Sequence, residues 1–186
     1  TLTADAEILA VANETELTDA LKAGENGTII TAKTPFYATM GGQKGDTGVI
    51  RTESGSFEVE ETVKIAGGRI GHIGKVVSGT IKVKEAAELA VDTANRKNIC
   101  KNHSATHLLQ SALRAVLGDR VEQQGSYQDG SRTRFDFSHS QAMTQEELAR
   151  VEALVNEKIA EDLPVVTDVM SIEEAKKSGA MALCGE

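Results

Sequence analysis

Thr93–Leu117, TANRKNICKNHSATHLLQSALRAVL, is the stretch at which the pattern of the chain changes. Before it, short apolar runs are broken by glycine. Within it, apolar residues recur at helical spacing until Gly118-Asp119 ends the run. At about 100° per residue, His103, His107, Gln110 and Arg114 form one narrow stripe, while Ala105, Leu108, Leu109, Ala112 and Val116 centre on the opposite side. The spacing predicts an amphipathic helix whose histidines face away from the core. It also places a domain boundary there, between residues 1–94 and 95–186.

Upstream, strands are expected at Ala6 to Val11, Thr28 to Lys33, Gly48 to Thr52, Ser56 to Ile65, Arg69 to Val77 and Thr80 to Lys84. Short strands separated by glycine-bearing turns point to a small antiparallel β-barrel. A short helix from about Glu14 to Lys22 fits between the first two strands, with Gly24 as its left-handed cap. Downstream, Val121 to Gln128 and Arg132 to Ser138 read as a hairpin turning at Asp129-Gly130. Thr144-Gln145-Glu146-Glu147 is a capping box for a helix to about Asp162, Pro164 to Met170 reads as a strand, and Ser171-Ile172-Glu173-Glu174 caps a last helix ending at Gly179. The fold class is α+β: a barrel, then a two-layer α/β core with helices on one face of an antiparallel sheet.

Composition narrows the function classes. With 186 residues and 40% apolar content the chain can bury a sizeable core. No apolar run approaches the ~18 residues of a membrane span, and no secretory signal opens the chain. A cytoplasmic location, with no membrane partner and no DNA partner, is the expectation. The net charge of -8 argues against a broad basic face that holds nucleic acid by phosphate neutralisation, and 3% aromatic content leaves few stacking platforms. Two cysteines, Cys100 and Cys184, are too few for a disulfide framework.

The i, i+4 pair His103 and His107 can direct two ring nitrogens to one Zn²⁺, but a structural site takes four ligands and a catalytic one usually three plus water. Cys100, Cys184, His72 and His139 are candidates for the rest. Ser104 stands where a zinc-protease helix carries its general-base Glu, which argues against that class. Met40-Gly41-Gly42-Gln43-Lys44-Gly45-Asp46-Thr47-Gly48 either forms a glycine-rich hairpin turn or lets the backbone approach a ligand closely. It is no P-loop, since the G-x(4)-G-K-[ST] order is absent. Gln123 and Gln124 lie on a strand near the histidine helix, as edge surface or as substrate-orienting amides. Arg132 and Arg134 share one side of their strand and meet either phosphate or solvent.

Taken together, Thr34-Pro35-Phe36-Tyr37-Ala38, the Gly41 to Gly48 loop, Asn102 to Leu109, Gln123-Gln124-Gly125-Ser126, Arg134 to His139 and Gly179-Ala180-Met181-Ala182-Leu183 resemble the editing region of the bacterial-type alanyl-tRNA synthetase family. The resemblance spans nearly the whole chain. It implies hydrolysis of the aminoacyl ester in mischarged Ser-tRNA(Ala) and Gly-tRNA(Ala), within a protein that ligates alanine to tRNA(Ala) using ATP. It implies His103 and His107 as zinc ligands, Gln123 and Thr39 as catalytic-pocket residues, and Gly41, Gly42, Gln43, Asp46 and Arg134 as substrate-binding residues. The partners implied are the tRNA(Ala) 3′ end carrying Ser or Gly, and the remaining synthetase domains. The family completes its zinc site with a C-x-x-x-H motif absent from these residues. The expectation is therefore a piece of a longer protein with half of the metal site. A non-catalytic tRNA-positioning module, and a freestanding or threonyl-type editing domain, are the rival readings.

Overall fold

The computed structural model describes residues 1–180. Met181 to Glu186 lie outside them, and with them Cys184 and most of the Gly179 to Leu183 motif. Eight strands come first: β1 (Thr3–Ala12), β2 (Leu17–Thr18), β3 (Ala20–Lys22), β4 (Asn26–Thr31), β5 (Gly48–Thr52), β6 (Gly55–Lys64), β7 (Ile70–Lys82) and β8 (Ala86–Val91). Six of them close a barrel of antiparallel pairs in the order β1-β4-β7-β6-β5-β8 and back to β1. Its interior is apolar, with Ile8, Ile29, Ile50, Phe57, Val76 and Leu89 fully buried. No helix among the described residues is long and apolar enough to cross a membrane.

Three expectations about this half are corrected, and one further strand is added. The helix from Glu14 to Lys22 is absent. The Asn13 side-chain oxygen accepts from the Thr15 and Glu16 backbone N–H groups at 2.9 and 2.8 Å, a local turn that competes with helix nucleation. The chain then pairs as β2 with β1 and as β3 with β7, sinking Leu21 into the barrel. Gly24 serves the turn between β3 and β4 rather than a helix cap. The two strands expected from Arg69 to Lys84 are the single strand β7, because Gly79, at φ 65°, bends it from β6 towards β3 without breaking it. Finally, β8 went unread: AAELAV has helix-favouring alanines and a glutamate, yet its alternation buries Ala87, Leu89 and Val91 and closes the barrel.

Then follow α1 (Thr93–Leu117), β9 (Gln123–Gln128), β10 (Thr133–Phe137), α2 (Gln145–Ala160) and α3 (Ile172–Lys177). Asp92 caps α1, its carboxylate accepting from Asn95 N at 3.0 Å. Both expected capping boxes are present, at Thr144 and Ser171. A second apolar core joins Ala112 and Leu113 of α1, Val121 between α1 and β9, Phe135 and Phe137 of β10, and Val151 of α2. The hairpin turns one residue later than expected. Asp129 pairs with Arg132 and its carboxylate receives the Ser131 and Arg132 N–H groups, so Gly130-Ser131 form the tip. Those donors depress the Asp129 pKa to about 2.

The expected strand from Pro164 to Met170 does not form among the described residues. Strand propensity becomes structure only with a ladder partner, and Val165, Val166 and Val169 stay exposed. The expected outward histidine face is also displaced. Gln110 of that stripe is buried, His103 is half-buried and His107 exposed. The hairpin covers α1 partly through polar residues: Asn102 Nδ2 donates to Asp129 O at 2.7 Å, and the Thr106 and Thr133 hydroxyls meet at 2.5 Å. The stripe therefore runs along the rim of the buried face, where hydropathy alone would not place it.

Candidate functional site

The site is built where the glycine-rich loop leaves the barrel and lies across α1 and β9. Met40 and Gln43 exchange backbone hydrogen bonds at 3.2 and 3.0 Å around Gly41 and Gly42, whose φ values of 58° and 76° have the sign pattern of a type I′ turn. Gly-Gly is the chemistry that this turn demands. The outgoing arm then adds to the hairpin: Gln128 N donates to Gly42 O at 2.8 Å, Lys44 N donates to Gln128 O at 2.9 Å, and Gln43 pairs with Gln128 in parallel. Gly42 is pressed against Ser126, where an added Cβ would fall 2.4 Å from the hydroxyl oxygen.

The far end of the loop is clamped by charge. Asp46 is fully buried, accepts from Tyr37 N at 2.7 Å and from Arg96 Nε at 2.7 Å, and forms a further ion pair with Arg96 Nη2. Arg96 Nη2 also donates to Pro35 O at 3.3 Å. The hydrogen bonds to Asp46 raise the Arg96 pKa above its ordinary value. Below the loop, His72 is buried, with Nδ1 2.8 Å from Ile29 O and Nε2 2.8 Å from Thr34 Oγ1. Burial pulls its pKa below the ordinary histidine value.

Between these anchors the loop meets the imidazole pair. Gln43 Oε1 lies 2.7 Å from His103 Nδ1, and the His103 and His107 rings stack with centroids 5.3 Å apart at 22°. Parallel rings one turn apart suit two donors to one metal ion. The chemistry of this donor set fits half of a tetrahedral zinc site. Among the described residues no three His, Cys, Asp or Glu side chains come together to hold a metal. Cys100 is exposed and does not complete such a group, while both nitrogens of His72 are engaged in the barrel.

Gly41, Gly42, Gln43, Asp46, His103 and His107 are thus brought into one region. Thr39 belongs to it as well, exposed at the loop entry, with its hydroxyl accepting from Gly45 N at 2.8 Å. Gln123 is half-buried at the start of β9, opposite Phe137, at the other end of the strand from Gln128. Arg134 is apart from the group: it is exposed and paired with Asp136 at 3.1 Å.

Arg96 and Gln128 were not assigned to the site from the sequence, and Ser126 was read only as the last residue of the Gln123 to Ser126 motif. A signal for Arg96 was available, because a cation in the first turn of a helix opposes the macrodipole and calls for another partner. Gln128 is fully buried with neither side-chain polar atom partnered among the described residues, and Gln110 Nε2 is likewise unpartnered.

A family described as tRNA synthetases class II (A) matches residues 1–95. The chain belongs to the class II (A) tRNA synthetase family. Within this family it is 58% identical over 180 residues to alanine–tRNA ligase 1 of Lachnoclostridium phytofermentans, covering 97% of this chain and 20% of that protein. Against the alanine–tRNA ligases of Rhodopseudomonas palustris and Jannaschia sp. it is 48% identical over 186 and 183 residues, or 100% and 98% of this chain and 21% of each relative. The chain thus spans about one fifth of the length of these relatives. These alignments run through the loop, α1 and the hairpin, beyond the 1–95 segment.

Proposed function

We propose that this chain is the editing region of an alanine–tRNA ligase, hydrolysing the ester of Ser-tRNA(Ala) and Gly-tRNA(Ala), and that the whole protein joins alanine to tRNA(Ala) at the expense of ATP. The observation that carries the reading is the convergence of the turn at Gly41-Gly42, the β9 strand and the stacked His103–His107 pair, tied by the Gln43–His103 contact at 2.7 Å. The names of the relatives support its placement in such a ligase.

The chemistry follows from what a synthetic pocket cannot do. Serine is nearly isosteric with alanine, so a pocket selecting a small side chain excludes it poorly, and a second hydrolytic site corrects the error. Thr39, exposed at the loop entry, is the hydroxyl offered to the serine side chain. Once a bound 3′ end has covered Thr39 and excluded water from it, an alanyl ester would leave that hydrogen bond unmade, at a cost of about 1 to 3 kcal/mol. The turn at Gly41-Gly42 admits the terminal adenosine close to the backbone, and Gln123 orients the aminoacyl group from β9. His103 and His107 would hold zinc, whose positive charge polarises an ester or a water when bound. The surface that grips the rest of the tRNA would come from other domains, since this acidic chain offers no broad basic face.

The test is deacylation by the protein at the length its gene encodes. Ser-tRNA(Ala) and Gly-tRNA(Ala) should be hydrolysed and Ala-tRNA(Ala) spared, and the pair His103→Ala with His107→Ala should abolish the hydrolysis. Equal rates on Ser- and Ala-tRNA(Ala), or an unimpaired double variant, would overturn the reading. Binding of tRNA(Ala) without any hydrolysis would favour a positioning module.

A further inference from the structure

We propose that Gln43 is a positioning residue for the imidazole pair: its side-chain oxygen accepts the Nδ1 proton of His103 and so fixes the tautomer that carries its lone pair on Nε2. The inference rests on the metal reading given above and assigns Gln43 a role in it distinct from substrate contact.

Three observations support it. The Gln43 oxygen is 2.7 Å from His103 Nδ1, and a carboxamide oxygen can only accept, so this contact requires the proton on Nδ1. Gln43 is 7% exposed, so its side chain is held among protein atoms rather than in solvent, facing the half-buried His103. Its backbone is also fixed at both ends, by the Met40 exchange on one side and by the Lys44–Gln128 and Gly42–Gln128 bonds on the other. The side chain thus starts from a rigid point. Since Asp46 and Arg96 anchor the same loop to α1, the loop and the histidine it orients share one frame.

The chemical consequence is specific. An imidazole binds metal through a lone pair, and a partner on the other nitrogen sets which nitrogen offers it and how basic it is. If the amide were reversed, its NH₂ would donate to Nδ1 and drive the proton to Nε2. The glycine-rich loop therefore acts on the metal centre through one hydrogen bond, in addition to any contact with substrate.

The experiment measures Zn²⁺ affinity by chelator competition, using the protein at its gene-encoded length and its Gln43→Met, Gln43→Glu and His103→Ala variants. Gln43→Met preserves bulk and removes the acceptor, so zinc affinity should fall about 10- to 100-fold. Gln43→Glu retains the acceptor and adds charge, so affinity should match or exceed wild type. A merely structural glutamine would not separate the two variants in this direction. A change of less than about twofold in Gln43→Met, against the usual effect of losing such a partner, would overturn the proposal. So would a Gln43→Glu variant as weak as Gln43→Met. His103→Ala should abolish binding, and undiminished affinity there would overturn the underlying metal reading instead.

Discussion

Arg96→Met should destabilise the protein by more than an exposed ion pair could explain. Asp46 is fully buried, and three of its hydrogen bonds come from Tyr37 N and the Arg96 guanidinium. Methionine keeps much of the stem volume but leaves a buried carboxylate with one backbone donor. Breaking a buried pair in this way costs roughly 3 to 5 kcal/mol. The Arg96 side chain is 24% exposed, so part of the pair's attraction is already screened and the lower bound, about 3 kcal/mol, is the expectation. In a chain of this length that is a fall of about 6 to 12 °C in Tm. Asp46→Asn keeps a carbonyl for Tyr37 N and lets Arg96 turn to water, so it should cost only about 1 to 2 kcal/mol. Urea unfolding followed by far-UV circular dichroism measures all three variants, including the double one. The double variant should be more stable than the sum of the single losses predicts, because the stranded charge is gone. A cost below about 1 kcal/mol for Arg96→Met, the range of exposed pairs, or strict additivity in the double variant, would refute the clamp.

Gly42→Ala forces a Cβ to within 2.4 Å of Ser126 Oγ and 2.7 Å of Ser126 O at a φ of 76°. The turn should lift from β9, and since a displacement near 1 Å can cost about 100-fold in rate, Ser-tRNA(Ala) deacylation should fall by about that factor; an unaltered rate would show that the turn lies outside the site. His72 supplies a pH signature. Burial holds its folded pKa below 6.5, so as the pH falls below 6.5 the unfolded chain takes up a proton that the folded chain resists, and stability declines until the folded value is passed. Above 6.5 the contribution is complete. Urea midpoints taken on both sides of that value should show a steeper acid loss in wild type than in His72→Gln; parallel profiles would mean that the ring is not desolvated as described.

Local pattern was enough for several elements. The run from Thr93 to Leu117, the capping boxes at Thr144 and Ser171, and the strands at β1, β4, β5 and β6 are set by periodicity and by side chains that act on their nearest backbone neighbours, within reach of a sequence reading. The His103–His107 spacing follows from helix geometry alone, and the motif order sufficed to place the chain in its family. What failed depended on distant partners. AAELAV is a strand because β1 and β5 flank it, and Leu17 to Lys22 is strand rather than helix because β1 and β7 offer ladders. Pro164 to Met170 shows the converse, strand-like in composition with no ladder among the described residues.

The site divides along the same line. Sequence by itself supplied the paired imidazoles and the glycines, since imidazole spacing and a turn that needs two positive φ values are written in consecutive residues. Only the tertiary structure decided that the loop lies on β9, that Gln43 reaches His103 across 60 positions, and that Arg96 is spent on Asp46, 50 positions away. The physical reason is burial. Hydropathy marks Asn102, Thr106 and Gln110 as outward, but a polar residue can face inward wherever another element supplies its hydrogen bonds. Which element does so is a property of the assembled fold.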